Sequence, residues 1–360
     1  MKIMTIFGTR PEIIRLSRIF PLLDKNFEHV MMNTNQNFTP ELSSIFFKEL
    51  KLRNADYDLG IKTGDFGNEV SDILKKTSKI IEKENPDCIL ILGDTNSGLS
   101  CIPAAHYGVK IIHLEAGMRS YDFRMPEEKN RVTIDHLSSV LLPYTHYSRE
   151  NLIRENIHPS KIFVVGNPII EVIKFYLPKI EQSNILKKMH LKPNNYFLIT
   201  SHRSENVDDV KTLKNIFLSL EKLHKTFKKR IIYPIHPRTI SKTKKIIIPK
   251  CVELIEPLGF FDFTKLEKNA FCLITDSGTV PEETLFFKKP CITIRLSSER
   301  PETLEAGSNI LTGIDPEHIV DSVKSITSSK PTWEWNQMLG DGNTASKVVN
   351  IILSSKNSIY

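Results

Sequence analysis

Short, continuous apolar runs recur along the first half of the chain, at Ile3–Phe7, Val30–Met32, Cys88–Leu92, Ile111–Leu114, Val140–Leu142 and Ile162–Val165, each followed by a segment of helical period. Runs without polar alternation belong to strands covered on both faces, and their alternation with amphipathic helices predicts a parallel sheet. The pattern restarts at Tyr196–Thr200, Ile231–Ile235, Val252–Ile255, Phe271–Thr275 and Cys291–Ile294. Two doubly wound α/β domains with an interdomain cleft account for both sets. Between them, Pro168, Pro178 and Pro193 punctuate a polar, Lys-rich stretch, which places a hinge near 166–184 and the domains at 1–166 and 167–344. The stretch Ala345–Leu353 has helical spacing, and 345–360 is expected to pack back on the first domain.

Composition narrows the function classes. With 360 residues, 40% hydrophobic and 25% charged, the chain has the material for two full cores, which excludes disordered, collagenous and disulfide-scaffold proteins. The net charge of +7 is mostly lysine on helical stretches such as Lys222 to Lys229, without interleaved aromatics or a recognised nucleic-acid motif. It supports only a mild preference for anions, with no nucleic-acid partner. No apolar run approaches the roughly 18 to 20 residues of a membrane span, and the first 35 residues lack the ordered regions of a signal peptide, so a cytoplasmic protein without a membrane partner is expected. Five scattered cysteines, with no C-x-x-C pair, read as reduced core residues, and no metal site is expected.

Candidate chemistry lies where strands end. The first run passes into Gly8-Thr9-Arg10-Pro11-Glu12, in which a Gly turn, an Arg and a Pro opening a helix make an anion site or, equally, a tight turn with a surface Arg. The third run ends in Gly93-Asp94-Thr95 and the next in His113-Leu114-Glu115, one carboxylate at each strand end. Asp94 also reads as a helix N-cap. Glu115 follows apolar residues directly, so it needs a partner, Arg119 or Arg131, or a use. Pro126-Glu127-Glu128 opens the following helix, where Glu128 reads as a helix-dipole residue and Glu127 as a chemical one. In the second half, Ser201-His202-Arg203 sets a His and an Arg at a strand end. Thr275 to Glu283 then reads as a strand, a Ser-Gly turn and a helix with Pro281 in its first turn and a glutamate one turn in. That describes a nucleotide diphosphate site without a Walker lysine or G-x-G-x-x-G.

In this order and spacing, Gly8 to Glu12, Gly93 to Thr95, His113 to Arg119, Pro126 to Glu128, Asn130-Arg131, His202-Arg203, Asp276 to Gly278 and Glu299 to Glu302 resemble the non-hydrolysing UDP-N-acetylglucosamine 2-epimerases, and the resemblance runs from Lys2 to about Leu353. It implies two Rossmann-like domains of the glycosyltransferase-B type, a UDP-sugar between them, no nicotinamide or other cofactor, no metal, and a homodimer. Such isomerases interconvert UDP-N-acetylglucosamine and UDP-N-acetylmannosamine by anti elimination of UDP to 2-acetamidoglucal and syn re-addition, supplying surface-polysaccharide precursors. Asp94, Glu115 and Glu127 match the family's catalytic carboxylates, undivided between base and acid, and His202 matches its phosphate-contacting histidine. Arg10, Ser277, Gly278 and Glu283 match positions on the phosphates and ribose and Phe263 one against uracil, while Arg15, Thr279 and Arg300 complete the substrate set. Arg15 stands where many members have Lys, Thr279 replaces a glycine and Pro281 a glutamine. Gln36 and His236 match an activator site that binds a second UDP-N-acetylglucosamine, whereas Thr39 and Ser204 stand where that site usually has Gln and Arg.

Two enzymatic alternatives share these features. A UDP-sugar glycosyltransferase has the same fold and nucleotide site but needs an acceptor groove where the first half carries carboxylates. A 2-epimerase of a 6-deoxy UDP-sugar, in the UDP-N-acetyl-L-fucosamine pathway, shares the opening Gly-Thr-Arg-Pro-Glu-Ile-Ile-Arg.

Overall fold

A computed structural model of the chain describes residues 1–35, 40–61, 64–235, 237–243 and 246–355. One six-stranded parallel sheet holds β1 (Lys2–Phe7), β2 (Glu28–Asn33), β3 (Tyr57–Asp58), β4 (Cys88–Leu92), β5 (Lys110–Leu114) and β6 (Val140–Leu142) in the order β3-β2-β1-β4-β5-β6. The other holds β7 (Tyr196–Thr200), β8 (Arg230–Pro234), β9 (Val252–Ile255), β10 (Cys272–Thr275), β11 (Cys291–Thr293) and β12 (Asn309–Leu311) in the order β12-β11-β10-β7-β8-β9. Each sheet therefore winds outward from a central pair, β1 with β4 and β7 with β10. Winding that reverses there opens a crevice at the carboxyl ends of those strands, where ligands of such folds bind. The central registers, Ile3↔Cys88 to Ile6↔Ile91 and Phe197↔Cys272 to Thr200↔Thr275, bring the loops after each pair level with one another.

The strands form because their side chains are apolar on both faces. β4 is wholly buried, with Met4, Ile6, Ile89, Ile91 and Ile111 in a core closed by Ile73, Ile80 and Ile81 of the helix Phe66–Glu84. That helix is punctuated as its sequence dictates, by Asp65 capping the Asn68 N–H at 2.8 Å and by Asn85 in the left-handed region.

The chain divides into two compact units, Met1–Lys174 joined by the stretch from Leu339, and Phe175–Met338. The helix Thr344–Ser354 belongs to the first, where Val348, Val349 and Ile352 are buried and the Ala345 N–H donates to Glu171 at 2.8 Å. The stretch expected as a polar hinge is instead occupied by a helix, Pro168–Gln182, because Ile169, Ile170, Val172, Ile173, Tyr176 and Ile180 recur at helical spacing and are buried. Ile162–Val165 is not a strand. It makes one isolated bridge, Ile162 with Leu141, since β6 offers only three residues to pair with. The short β3 and β12, one mixed and one led by Asn309, lack the apolar run that marks the others. All five cysteines are unpaired thiols, four of them buried, and among the described residues no helix is long and apolar enough to cross a membrane.

Candidate active site

In the first unit the turn after β1 is built around one carboxylate. Glu12, 2% exposed, accepts from the Gly8 N–H at 2.6 Å, the Thr9 N–H at 2.8 Å and the Thr95 hydroxyl at 2.6 Å, tying that turn to the one after β4. Burial lifts its pKa to about 7 against these hydrogen bonds. Arg10 opens the helix Arg10–Leu16, its guanidinium 6.0 Å from the Phe46 ring centroid, with no carboxylate partner among the described residues. Burial pulls its pKa below the ordinary arginine value. A desolvated cation is stabilised by an anion, which keeps Arg10 a candidate anion contact.

The three carboxylates sit at the ends of β4 and β5 and at the start of the helix Pro126–Leu137. Asp94 caps no helix, that position belonging to Thr95, and is gripped by Arg131 through Nε at 3.1 Å and through Nη2. Arg131 reaches Glu128 at 2.6 Å with its other arm. Glu128 is not a solvated dipole residue. Fully buried, it accepts from Ser120 N at 3.0 Å, Ser120 Oγ at 2.8 Å and Tyr121 N at 2.9 Å, so it fixes the loop before its helix. The predicted partners of Glu115 are engaged elsewhere, Arg119 with Asp135 at 2.8 Å and with Glu155 at 2.6 Å, and Arg131 as above. Glu115 instead meets Arg15, whose guanidinium lies 5.6 Å over the Tyr144 ring, and accepts from the Tyr144 hydroxyl at 3.0 Å. It holds φ at 78°, a strained value for a non-glycine residue of the kind that clusters at functional sites. Glu127, half-buried in the first turn of its helix, has no hydrogen-bond or ion-pair partner among the described residues.

Beneath this row lies a second polar layer that motif reading missed. His113 is fully buried, with Nδ1 2.7 Å from Asp135 and Nε2 2.9 Å from the Gly93 carbonyl, which steadies the peptide before Asp94. Burial pushes Asp135 up, but His113 and Arg119 outweigh it and hold the carboxyl below the usual range. Asp135 also accepts from the Gly117 N–H at 3.1 Å. Gly117 has φ +78° and passes so close to the next helix that a Cβ would lie 2.2 Å from the Ser148 carbonyl oxygen.

In the second unit Asp276 has the organising part. Fully buried at the end of β10, it accepts from Ser201 Oγ at 2.8 Å, His202 N at 3.0 Å, Arg203 N at 3.1 Å and Asn206 Nδ2 at 3.0 Å, pinning the loop after β7. His202 is thereby presented with its ring 52% exposed and Nδ1 3.4 Å from Asp276. In the adjoining turn the Ser277 hydroxyl takes the Thr279 N–H at 3.2 Å, and a Cβ on Gly278 would stand 2.6 Å from Glu299 Oε1. Thr279 keeps φ at −92°, so glycine is not required there. Glu283 is buried in the helix Val280–Phe286, and Phe263 lies half-buried on the helix Phe260–Asn269. Arg300 is buried on Glu282 at 2.6 Å, bracing the helix that carries Glu283. Gln36 and His236 lie outside the described residues.

A family model described as UDP-N-acetylglucosamine 2-epimerase matches residues 23–353. The chain is 41% identical to the UDP-N-acetylglucosamine 2-epimerase of Methanococcus maripaludis over 99% of both chains. It is 40% identical to that of Methanocaldococcus jannaschii over 99% of this chain and 100% of the relative. The crystal structure of the M. jannaschii UDP-GlcNAc 2-epimerase in complex with UDP-GlcNAc and UDP matches with a TM-score of 0.93 at 40% identity, covering 98% of this chain and 100% of that one. With the family model spanning most of its length and such relatives spanning nearly all of it, the chain belongs to the UDP-N-acetylglucosamine 2-epimerase family.

Proposed function

We propose that the chain interconverts UDP-N-acetylglucosamine and UDP-N-acetylmannosamine. The C2 hydrogen of such a sugar has no adjacent carbonyl to acidify it, so the reaction needs a base at C2 and strong stabilisation of the departing diphosphate. The C2–H pair becomes the C1=C2 bond as the C1–O bond breaks and its electrons leave with UDP. In the return, UDP oxygen re-adds to C1 while a proton reaches C2 on the other face. No electrons are gained or lost overall.

The observation that carries this reading is the row of carboxylates, with Asp94 and Glu115 gripped by buried arginines and Glu127 uncommitted. In this reading Glu127 is the carboxyl whose protonation changes without breaking an ion pair. Arg10, His202 and the Ser277–Thr279 turn take the diphosphate, Glu283 the ribose and Phe263 the uracil. A glycosyltransferase has no use for three carboxylates so placed, and full-length relatives named for UDP-N-acetylglucosamine favour that sugar over a 6-deoxy one. Proton NMR of UDP-N-acetylglucosamine with purified enzyme tests it: a second anomeric resonance should grow to equilibrium, and an unchanged spectrum refutes it. A homodimer, proposed on the resemblance alone, is checked by equilibrium sedimentation.

A further inference from the structure

Glu267 is a carboxyl group that the reaction above leaves unused. It lies one turn after Phe263 on the helix Phe260–Asn269, at the i and i+4 spacing that places both on one face. It is 0% exposed, beside a core of Leu266, Ala270, Leu273, Val280 and Cys291, and neither of its oxygens receives an N–H or O–H from the described residues. Its carboxyl instead meets that of Glu283, itself 8% exposed. Two carboxylates cannot both be charged side by side inside an apolar cluster, so the pair holds a proton between them. The site of that proton follows from the surroundings. Glu283 stands in the first turn of its helix, where backbone N–H groups favour a negative charge, and Glu267 has no such support.

We propose that Glu267 is a positioning residue for nucleotide binding: as the neutral acid it donates its O–H to one oxygen of Glu283, fixing that carboxylate so that its other oxygen accepts from the ribose hydroxyls. Burial pushes the Glu267 carboxyl well above the ordinary carboxylate range, and the charge of Glu283 adds to that shift. The arrangement gives the ribose an acceptor that is charged, oriented and already desolvated, so little ordering is left for the ligand to supply. The proposal rests on the reading that Glu283 faces the ribose.

Calorimetric titration with UDP and with 2′-deoxy-UDP separates the two ideas. The wild-type enzyme should prefer UDP. Glu267→Leu, which keeps the site apolar and removes the donor, should weaken UDP about tenfold or more, in line with the loss of a hydrogen bond to a charged group. It should affect 2′-deoxy-UDP much less and leave kcat at saturating substrate nearly unchanged. Glu267→Gln, whose amide N–H replaces the acid proton, should restore the preference. If Glu283→Gln also keeps full preference for UDP, the ribose reading fails and the proposal with it. If Glu283→Gln loses the preference but Glu267→Leu keeps it, or if Glu267→Gln behaves like Glu267→Leu, the positioning role alone is wrong.

Discussion

Arg15→Met probes the buried pair at the end of β5. Arg15 and Glu115 are 3% and 7% exposed, so the substitution leaves a carboxylate in the interior with the Tyr144 hydroxyl still donating but its cation gone. Removing one partner of a buried pair costs about 3–5 kcal/mol. A limit comes from proton uptake: neutralising a glutamate of ordinary pKa near 4.5 at pH 7 costs about 1.36 kcal/mol per unit, or roughly 3.4 kcal/mol. The expected loss is therefore about 3–4 kcal/mol, equivalent to a 10²- to 10³-fold rise in local opening. Hydrogen-exchange mass spectrometry reads it where it arises, in peptides from β4 and β5, with peptides from β7 and β10 as the internal reference. The double variant Arg15→Met with Glu115→Gln should recover most of the loss, because an amide is left where a charge was. Arg15→Lys keeps the cation and should lose about 1 kcal/mol. If Arg15→Met exchanges like wild type, or the double variant is as labile as the single one, the pair does not hold the β5 end in place.

Glu127→Gln should lower kcat by about 10²-fold or more with UDP affinity nearly intact, read by steady-state kinetics and calorimetry, because the proposed proton-transfer group is removed without breaking an ion pair. Gly278→Ala drives a Cβ to 2.6 Å from the buried Glu299 carboxylate, and the strain of about 1–3 kcal/mol should appear as weaker UDP binding with unchanged exchange in β4 and β5. The Glu12 pKa of about 7, against 4.5 for the ordinary group, means the folded state holds a proton that the unfolded chain releases earlier. Stability should therefore fall as pH rises from about 4.5 to about 7, and thermal melts of Glu12→Gln across that window should show a flatter dependence.

The parallel sheets and their helices were legible because strands buried on both faces write themselves as unbroken apolar runs; β3 and β12, two and three residues long, carry no such run. The polar look of 166–184 concealed a helix because its apolar residues are spaced by three and four, a signal that its prolines obscured. Asp94, Glu115, His202 and Ser277 stand out as candidates since each follows a readable strand. Their partners could not. Arg15 and Glu115 stand 100 residues apart, and sequence proximity favoured Arg119. Glu128 and Arg131 share a helix at i and i+3, a spacing that signals an ion pair, yet nothing local marks Glu128 as the acceptor for Ser120 and Tyr121. Asp135 and Asp276 sit inside the fold as acceptors for distant loops, a role fixed by topology rather than by any motif.

Solvent isotope incorporation tests the central claim most directly. UDP-N-acetylglucosamine incubated with enzyme in deuterium oxide should acquire deuterium at C2 in both epimers, at a rate that tracks epimerisation and that falls together with it in Glu127→Gln. Interconversion with the C2 hydrogen fully retained would contradict proton removal at that carbon, and with it the assignment of the carboxylate row to the chemistry.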